Sequence, residues 1–480
     1  MEKIMNQEIG ALTLLSKQQL VDVHEASLQV LDEVGVVIHH KGALKMLKKA
    51  GAAIDGDRVR LPRELIDWAL AQAPSSITLY NRDKTPALHL EGFNNYFGTG
   101  SDCYYILDTN TGKRRRCNLK DVENAVRLCD ALENISYIMS MCNPAEVPAA
   151  FSDIYQYREM LKHTIKPNIY SPHNLRGTQD CIAMSIAVAG GLEELKRYPH
   201  LLLYAEPTSP LQLGVDSLDK LLYVTGLGLP TIYSAGLIPG ATSPVTVAGA
   251  LTQANAEFLA GLVIGQLNNP GTPMVYGSGH TPMDMRTMIG SYGAPEGMLS
   301  LALVAEMARF YNLPSWGYAG CTDAKVVDQQ AAGEAANWIL LCRLAGSNLI
   351  HDVGYMDSAL TISLELITIC DEFIGMTQPF RERVNTDPEA LAVEVIKQVG
   401  PGGHFLDHIH TLENFRQHKR PELANRKRYE DWVKDGEKTM LDLAREKVAR
   451  ILREHNPEPL PKEVVNELDR IIERRINEGV

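Results

Sequence analysis

The chain has 480 residues, of which 45% are hydrophobic and 22% charged, as expected for a soluble globular protein. Its formal net charge of -12 argues against nucleic acid or an anionic membrane surface as a partner. No uninterrupted apolar run approaches the roughly 20 residues that cross a bilayer, and the N-terminus lacks a cationic segment followed by an apolar core. We therefore expect a cytoplasmic protein that does not associate with membranes.

The first predicted unit, residues 1–86, is a helical extension. Apolar residues recur at helical spacing from residue 16 onward, with Ser16 as the N-cap and Gly35 at the end of the helix. A second helix, a tight turn, a short strand and a third helix are predicted to follow. Pro62 lies near the start of that third helix and Pro74 ends it.

Residues 87–377 repeat one pattern eight times: a short apolar run ends in small or polar residues and leads into a helix. This pattern is typical of β-loop-α units, and eight of them predict a closed (β/α)8 barrel. A doubly wound open sheet is the alternative, but no GxGxxG fingerprint is present. The predicted strands are residues 96–100, 135–141, 167–171, 200–206, 230–236, 273–277, 315–320 and 348–355.

Residues 378–480 differ in character from the barrel. A predicted helix at 387–400 leads to a glycine-rich stretch, and highly charged helices follow. Charges of both signs alternate at helical spacing in those last helices, so we predict solvated helices that wrap the barrel or pack on a partner subunit. We expect a homo-oligomer on this basis.

Working residues of a (β/α)8 barrel emerge from the C-terminal ends of its strands. The candidate catalytic residues at these positions are Asp102, Glu206, Asp323 and His351. Asp102 and Glu206 could also converge as the carboxylate pair of a glycosidase, since the sequence gives no distance between them. The GxSxG motif of a serine hydrolase is absent.

Aromatic residues are concentrated in the predicted strands, although the chain is only 6% aromatic. Core packing alone can explain this, because aromatic residues favour strands. Alternatively, a set of rings can bind a quaternary ammonium ion, with roughly 0.5 to 2 kcal/mol from each contact. The residues predicted to line such a pocket are Tyr96, Phe97, Tyr318 and Tyr355.

Two glycine-rich stretches would allow a large flat cofactor to approach the backbone closely. The first contains Gly277, Ser278, Gly279 and His280, and the second contains Gly402, Gly403 and His404. His404 also belongs to a run of three histidines, but no convincing ligand partner accompanies them. The eight cysteines form no CxxC pair. We therefore predict no bound metal and expect most cysteines to be core residues in a reducing compartment.

Four segments together resemble the trimethylamine methyltransferase family, MttB. They are GATSPVTVAGALTQANAE (240–257), DMRTMIGSYGAPE (284–296), TDAKVVDQQAAGE (322–334) and GPGGHFLDHIHT (400–411), in the order found in the family. The resemblance implies a (β/α)8 barrel that moves a methyl group from an amine to the Co(I) of a corrinoid, cob(I)alamin or a relative, carried by a cognate corrinoid protein.

The founding enzymes of this family carry pyrrolysine, whereas this sequence contains only ordinary residues. The resemblance therefore implies the non-pyrrolysine branch, which is similar to glycine betaine methyltransferase and to relatives that act on other betaines. A quaternary amine leaves as a neutral tertiary amine, so no general acid is needed, and Co(I) is itself the nucleophile. His351 is the candidate donor to a substrate carboxylate.

Two other functions stay open from the sequence. One is a corrinoid-independent lyase or hydrolase that uses Asp102, Glu206 and Asp323 as acid and base, and it predicts carboxyls with shifted pKa values. The other is a non-catalytic protein that binds a betaine on the same scaffold. Fold alone does not separate these functions.

Overall fold

Eight parallel strands form one closed barrel in the computed structural model, which describes residues 12–382 and 384–479. Adjacent strands in the sheet are also consecutive in the chain, the last strand pairs with the first, and the Ile138–Asn168 bridge joins the remaining two edges. The predicted (β/α)8 barrel is thus confirmed. The strands are β1 Tyr96–Gly98, β2 Ile135–Tyr137, β3 Asn168–Tyr170, β4 Leu201–Ala205, β5 Thr231–Leu237, β6 Met274–His280, β7 Ser315–Tyr318 and β8 Leu349–His351.

A helix follows each strand, as the repeated sequence pattern predicts. These helices are α1 Leu119–Ala131, α2 Ser152–His163, α3 Leu175–Ala189, α4 Val215–Gly226, α5 Val247–Asn268, α6 Pro295–Phe310, α7 Gln329–Ala345 and α8 Leu364–Thr377. The sequence predicts that α8 begins at Asp357, which is wrong. Residues 357–359 take positive φ values and residues 361–362 form a strand, so the helix begins only after its N-cap, Ser363.

The N-terminal end of the barrel is closed by a hairpin of strands Ile77–Tyr80 and Pro86–Leu90. Its apolar residues, including Leu79 and Leu88, belong to the cluster that fills the barrel. Each fully buried leucine contributes about 1.5 to 3 kcal/mol. Because this end is filled, a ligand reaches the interior only from the C-terminal ends of the strands, which we call the mouth.

The residues before this hairpin form helices and a small mixed sheet. Ser16 caps helix Lys17–Gln29 as predicted, and a π-turn, Val30–Val34, continues it to Gly35 at φ 75°. Helices Lys41–Lys49 and Arg63–Gln72 follow, and the single predicted strand is instead a hairpin. The sheet consists of Gln212–Leu213, Val36–Ile38, Arg58–Arg60 and Ala53–Asp55, in that spatial order.

Helix α5 is long and apolar enough to cross a membrane by length and composition alone. Its most apolar stretch is nevertheless 72% buried inside the fold. There the helix packs against β5, β6 and three N-terminal helices. Burial of this kind is typical of a core helix.

Short strands in the loops after β1, β6 and β8 build the rim of the mouth. Strand Tyr105–Leu107 pairs with Arg114–Arg116 and also with Thr361–Ile362, which in turn pairs with Tyr355–Met356. Strand Met283–Asp284 pairs with Ile289–Gly290. Elsewhere in the barrel loops lie the short helices Ala149–Phe151 and Leu192–Arg197.

The C-terminal helices pack on their own barrel. Helix Met440–Glu454 lies against α8 and α1, and helix Lys462–Glu478 lies against α2 and α3. Between α8 and these helices runs a stretch, residues 378–420, that we call the outer segment. Its helices and those that follow it up to residue 434 are Gln378–Arg381, Pro388–Leu391, Val393–Val399, Ile409–Asn414, Phe415–Gln417 and Tyr429–Lys434.

Candidate active site

Three carboxyl side chains, those of Asp102, Glu206 and Asp352, lie at the mouth of the barrel. Asp102 and Asp352 follow β1 and β8 with positive φ values of 76° and 68°, a backbone region that Asp tolerates better than most residues. Gly100 packs so closely beneath Asp352 that a Cβ on Gly100 would lie 2.0 Å from the Asp352 Oδ1 atom. The hydroxyl of Tyr204 donates to Glu206 at 2.7 Å. The backbone of three different strands therefore brings these carboxyls to one place.

All three carboxyls hold their protons more tightly than a carboxyl in water does. Burial raises the pKa of Asp352 well above its usual range, and the nearby Asp102 carboxyl raises it further. Burial also raises the pKa values of Asp102 and Glu206. Asp102 and Glu206 are nevertheless exposed, so they line a space that is open to solvent, and only Asp352 is buried. A cation bound there would favour the ionised carboxyls.

His351 is held as a neutral ring next to Asp352. Its Nδ1 atom lies 2.7 Å from the Gly317 carbonyl oxygen, which can only accept a hydrogen bond, so Nδ1 carries a proton. Burial lowers the pKa of His351 to about 4. The Nε2 atom therefore presents a lone pair, 3.5 Å from the Asp352 Oδ1 atom. The predicted donation from His351 to a substrate carboxylate is not available from Nε2 in this tautomer.

An aromatic wall lies below the carboxyls. Trp316 stacks on the His351 ring with centroids 4.2 Å apart, and Tyr318 meets the same ring edge-on at 5.9 Å. Tyr204 and Tyr137 contact Trp316 at 5.8 and 6.2 Å. Among the described residues, none accepts from the buried Trp316 Nε1 or pairs with the Tyr137 hydroxyl. The floor of the mouth thus combines ring surfaces with two unused polar groups.

One ammonium group accompanies the carboxyls. Lys220, on α4, donates from Nζ to the Pro172 carbonyl oxygen at 3.0 Å. Burial lowers its pKa, and the charges of Glu206 and Asp102 act in the opposite direction. Because one partly buried lysine faces several carboxyls, it does not neutralise them all.

Asp323, predicted to be catalytic, serves the fold instead. Its carboxylate accepts hydrogen bonds from the backbone N–H groups of Tyr292 and Gly293 and from the hydroxyls of Ser291 and Ser358. Its oxygens are therefore occupied by the loop that follows β6. The Tyr292 side chain in that loop hydrogen-bonds Asp352, so Asp323 positions a neighbour of the site and does not face a ligand.

The four rings predicted to line a cation pocket do not share one cavity. Phe97 points away from the barrel interior and lies under the Arg343 guanidinium at 5.0 Å. The Tyr96 hydroxyl contacts the backbone of His89 in the hairpin that closes the opposite end. Tyr318 and Tyr355 do lie at the mouth, where the Tyr355 hydroxyl donates to the Ser101 carbonyl oxygen. Adjacent strand residues point to opposite faces, so Tyr96 and Phe97 could not both line the pocket.

The first predicted cofactor-binding stretch does not lie open at the mouth. In it, Gly277 packs against Ser234, and Ser278 donates to a backbone carbonyl. A Cβ atom added to Gly279 would lie 3.7 Å from the Tyr318 ring. His280 has no accessible surface, and burial lowers its pKa to about 4. A group that docks from outside cannot reach His280 in this conformation.

The second stretch, Gly402, Gly403 and His404, is exposed but belongs to the outer segment. That segment begins where α8 ends, beside the residues that precede β1 and β2. Within one chain it therefore starts at the end of the barrel opposite the mouth. That Gly402, Gly403 and His404 bind the cofactor stays a prediction.

An exposed apolar patch surrounds the entrance. We call it the rim patch, and it comes from the loops that follow β5 to β8. Its residues are Val245, Met285, Met288, Ile289, Val326 and Leu360, which are 42% to 70% exposed. A cavity of about 550 Å³ lies beside it, lined by residues that include Val245, Met283 and Arg286. Exposed methionines are typical of surfaces that bind another protein or a large apolar group.

The predicted set of site residues leaves out several side chains that line the site. Asp352 belongs in that set by position, because it directly follows a strand-end histidine. Trp316 and Tyr204 lie in predicted strands, but which face they occupy depends on the barrel. Lys220 is in the middle of a helix and Tyr292 is in a loop, and no local pattern marks either.

Comparisons with known proteins all find methylamine or betaine methyltransferases, and each match covers nearly the whole chain. The sequence model of the trimethylamine methyltransferase (MTTB) family matches residues 1–480. Two relatives from Desulfitobacterium hafniense are each 31% identical: trimethylamine methyltransferase MttB (96% of this chain, 94% of the relative) and glycine betaine methyltransferase (98% of both). The solved monomethylamine methyltransferase MtmB of Methanosarcina barkeri has a TM-score of 0.50 at 12% identity, covering 100% of this chain and 91% of that one, and so shows the shared fold. The chain therefore belongs to the trimethylamine methyltransferase (MTTB) family.

Proposed function

We propose that this protein transfers a methyl group from a quaternary amine to the Co(I) of a corrinoid protein, in the cytoplasm. The observation that carries the proposal is the carboxyl cluster of Asp102, Glu206 and Asp352 above an aromatic floor. Membership of a family whose relatives include a glycine betaine methyltransferase supports the methyl-transfer chemistry. Glycine betaine and similar betaines are the substrates to test first.

A quaternary ammonium ion fits this mouth for an electrostatic reason. Three neighbouring carboxyls, one of them buried, repel one another when ionised, and Lys220 alone does not compensate them. An onium ion donates no hydrogen bond, so it binds through charge and through ring faces. The half-buried Tyr204 ring, whose hydroxyl donates to Glu206, offers such a face. The same features do not favour a neutral ligand.

The residues at the mouth fit methyl transfer without acid catalysis. The departing tertiary amine is neutral and needs no proton, so the raised pKa of Asp352 is not required for acid catalysis. The reduced corrinoid supplies the nucleophile. The protein holds the substrate so that a methyl carbon on the quaternary nitrogen faces the entrance. The aromatic rings exclude water while the positive charge of the ammonium group is lost during transfer.

The rim patch is the surface on which we place the corrinoid partner. It surrounds the entrance, and its apolar side chains are 42% to 70% exposed. A corrin ring presented from outside would meet methionine and aliphatic side chains there. No residue of this chain is assigned as a ligand of the cobalt.

The test is spectroscopic. Chemically reduced cobalamin is mixed with the protein and a panel of quaternary amines, and the loss of the Co(I) absorbance is followed. We expect methyl transfer from at least one quaternary amine, reduced by Glu206→Gln and unchanged by Glu193→Gln, a matched change at an exposed surface carboxylate. Tight binding of an amine without any cobalt methylation would refute methyl transfer.

A second candidate function has one observation in its favour. Raised pKa values at Asp102 and Glu206 also suit a general acid in a corrinoid-independent lyase or hydrolase. Turnover of a substrate in the complete absence of a corrinoid would identify that function. Family membership favours methyl transfer over it.

A further inference from the structure

One ammonium group at the mouth has no counter-ion. Lys220 lies in the first half of α4, the part of a barrel helix that is next to the C-terminal end of the preceding strand. Its half-buried side chain donates from Nζ to the Pro172 carbonyl oxygen, just after β3. Within the described part of the chain it forms no ion pair with a carboxylate. A charged group that is taken partly out of water normally has an ionic partner, and Lys220 can therefore accept one.

The carboxyl cluster borders this ammonium group without occupying its donors. Burial lowers the pKa of Lys220, and the charges of carboxyls such as Glu206 and Asp102 act in the opposite direction. Burial raises the pKa values of Glu206 and Asp102, and the charge of Lys220 opposes that rise. These groups therefore act on one another from beyond the distance of an ion pair. An ammonium group has three N–H donors, and the Pro172 carbonyl accepts from one of them.

Two histidines near the mouth are not suited to hold an anion. The Nε2 atom of His351 presents a lone pair, because its Nδ1 carries the proton. The His280 ring has no accessible surface. An anionic group of a ligand in the mouth would therefore find its donor in Lys220.

A betaine carries an onium group and a carboxylate on one small molecule, so it can meet both kinds of charge at the mouth. Its onium group would bind to the carboxyls and to the half-buried Tyr204 ring, whose hydroxyl donates to Glu206. Glu206 is also the carboxyl that acts most strongly on Lys220, so the two binding positions are neighbours. Because a zwitterion has no net charge, its carboxylate does not increase the negative charge of the mouth.

We propose that Lys220 binds the carboxylate of a zwitterionic quaternary amine and so determines specificity for betaines over quaternary amines that lack a carboxylate. This inference rests on the proposed function, because it concerns the molecule that donates the methyl group. Lys220 determines which donor binds and takes no part in the transfer step itself.

Calorimetric titration without a corrinoid tests the proposal, with glycine betaine and betaine amide as ligands. The amide has a carboxamide in place of the carboxylate, so the two ligands share the onium group and have nearly the same shape. Lys220→Met should bind glycine betaine about 10- to 150-fold more weakly than the wild type, as expected for the loss of a hydrogen bond between charged groups. It should bind the amide equally or more tightly, because a like charge has left the mouth. Lys220→Arg keeps the charge and should keep the preference for betaine.

Lys162→Met is the matched control and should bind both ligands like the wild type. Lys162 is a half-buried lysine in the last turn of α2, at the end of the barrel opposite the mouth. Circular dichroism and thermal melting check the fold of each variant. If Lys220→Met does not fold, Lys220→Gln, which keeps a donor for the Pro172 carbonyl, takes its place.

Three results would overturn the proposal: no binding of betaine by the wild type, an unchanged betaine affinity in the folded Lys220→Met variant, or an equal loss of affinity for both ligands. Methyl transfer from another quaternary amine would be untouched by any of them. Conversely, betaine binding that depends on Lys220, without any methylation of cobalt, would support the role of Lys220 and refute the proposed function alone.

Discussion

Replacing Glu206 by glutamine removes one negative charge from the mouth while keeping the size of the side chain and an acceptor for the Tyr204 hydroxyl. Two unit charges about 5 Å apart interact by about 3 kcal/mol at an effective dielectric constant of about 20, and by less than about 1 kcal/mol in water. Because Glu206 retains accessible surface, the loss should lie between these limits. We therefore expect a quaternary amine to bind about 5- to 150-fold more weakly to Glu206→Gln.

Isothermal titration calorimetry without any corrinoid measures this effect separately from methyl transfer. A decisive comparison uses the carbon isostere of the ligand, in which a neutral tert-butyl group replaces the trimethylammonium group. The variant should lose affinity for the onium ion and keep its weak affinity for the isostere, while Glu193→Gln should change neither. Equal binding of the onium ion by the wild type and Glu206→Gln would refute the electrostatic reasoning.

Three further predictions follow from the same geometry. Burial raises the pKa values of Asp102 and Asp352, and a bound cation favours their ionised forms. Binding of the amine should therefore release protons, and its affinity should rise with pH above the ordinary carboxyl pKa of about 4. Calorimetric titrations in buffers of different protonation enthalpy measure the number of protons released, and proton uptake would contradict the prediction. Gly100→Ala should abolish onium binding, because its Cβ would meet Asp352, whereas Gly333→Ala, in an open position on α7, should bind normally and keep or gain about 1 kcal/mol of stability. Trp316→Ala should lower the free energy of unfolding by about 3 to 5 kcal/mol in urea denaturation, since the ring is buried against His351; a loss below about 1 kcal/mol would show that Trp316 does not hold the barrel interior together.

The barrel could be predicted because its strands and helices follow from local sequence patterns. Strands such as β4 and β5 are short runs of apolar residues with a turn at each end, and each is buried on both faces. The misplaced start of α8 shows the limit of this approach. Residues 361–362 pair with a strand more than 200 positions earlier, and that partner is invisible to a local pattern.

The candidate site was predictable by position and not by role. Asp102 and Glu206 were identified because each follows a strand, and both do lie at the mouth. Asp323 follows a strand in the same way, but its hydrogen-bond donors at residues 291–293 come from another loop and occupy its oxygens. Whether a strand-end carboxylate is free or saturated depends on such distant partners.

The sequence by itself determined the fold class, the family resemblance and the end of the barrel where chemistry takes place, because these follow from periodicity, strand ends and short motifs. Only the tertiary structure decided which side chains meet. Closure of the barrel brings Asp102, Glu206 and Asp352 together from three strands. Burial and charge act through space, so the pKa values and the partners of these groups depend on residues far away in the chain.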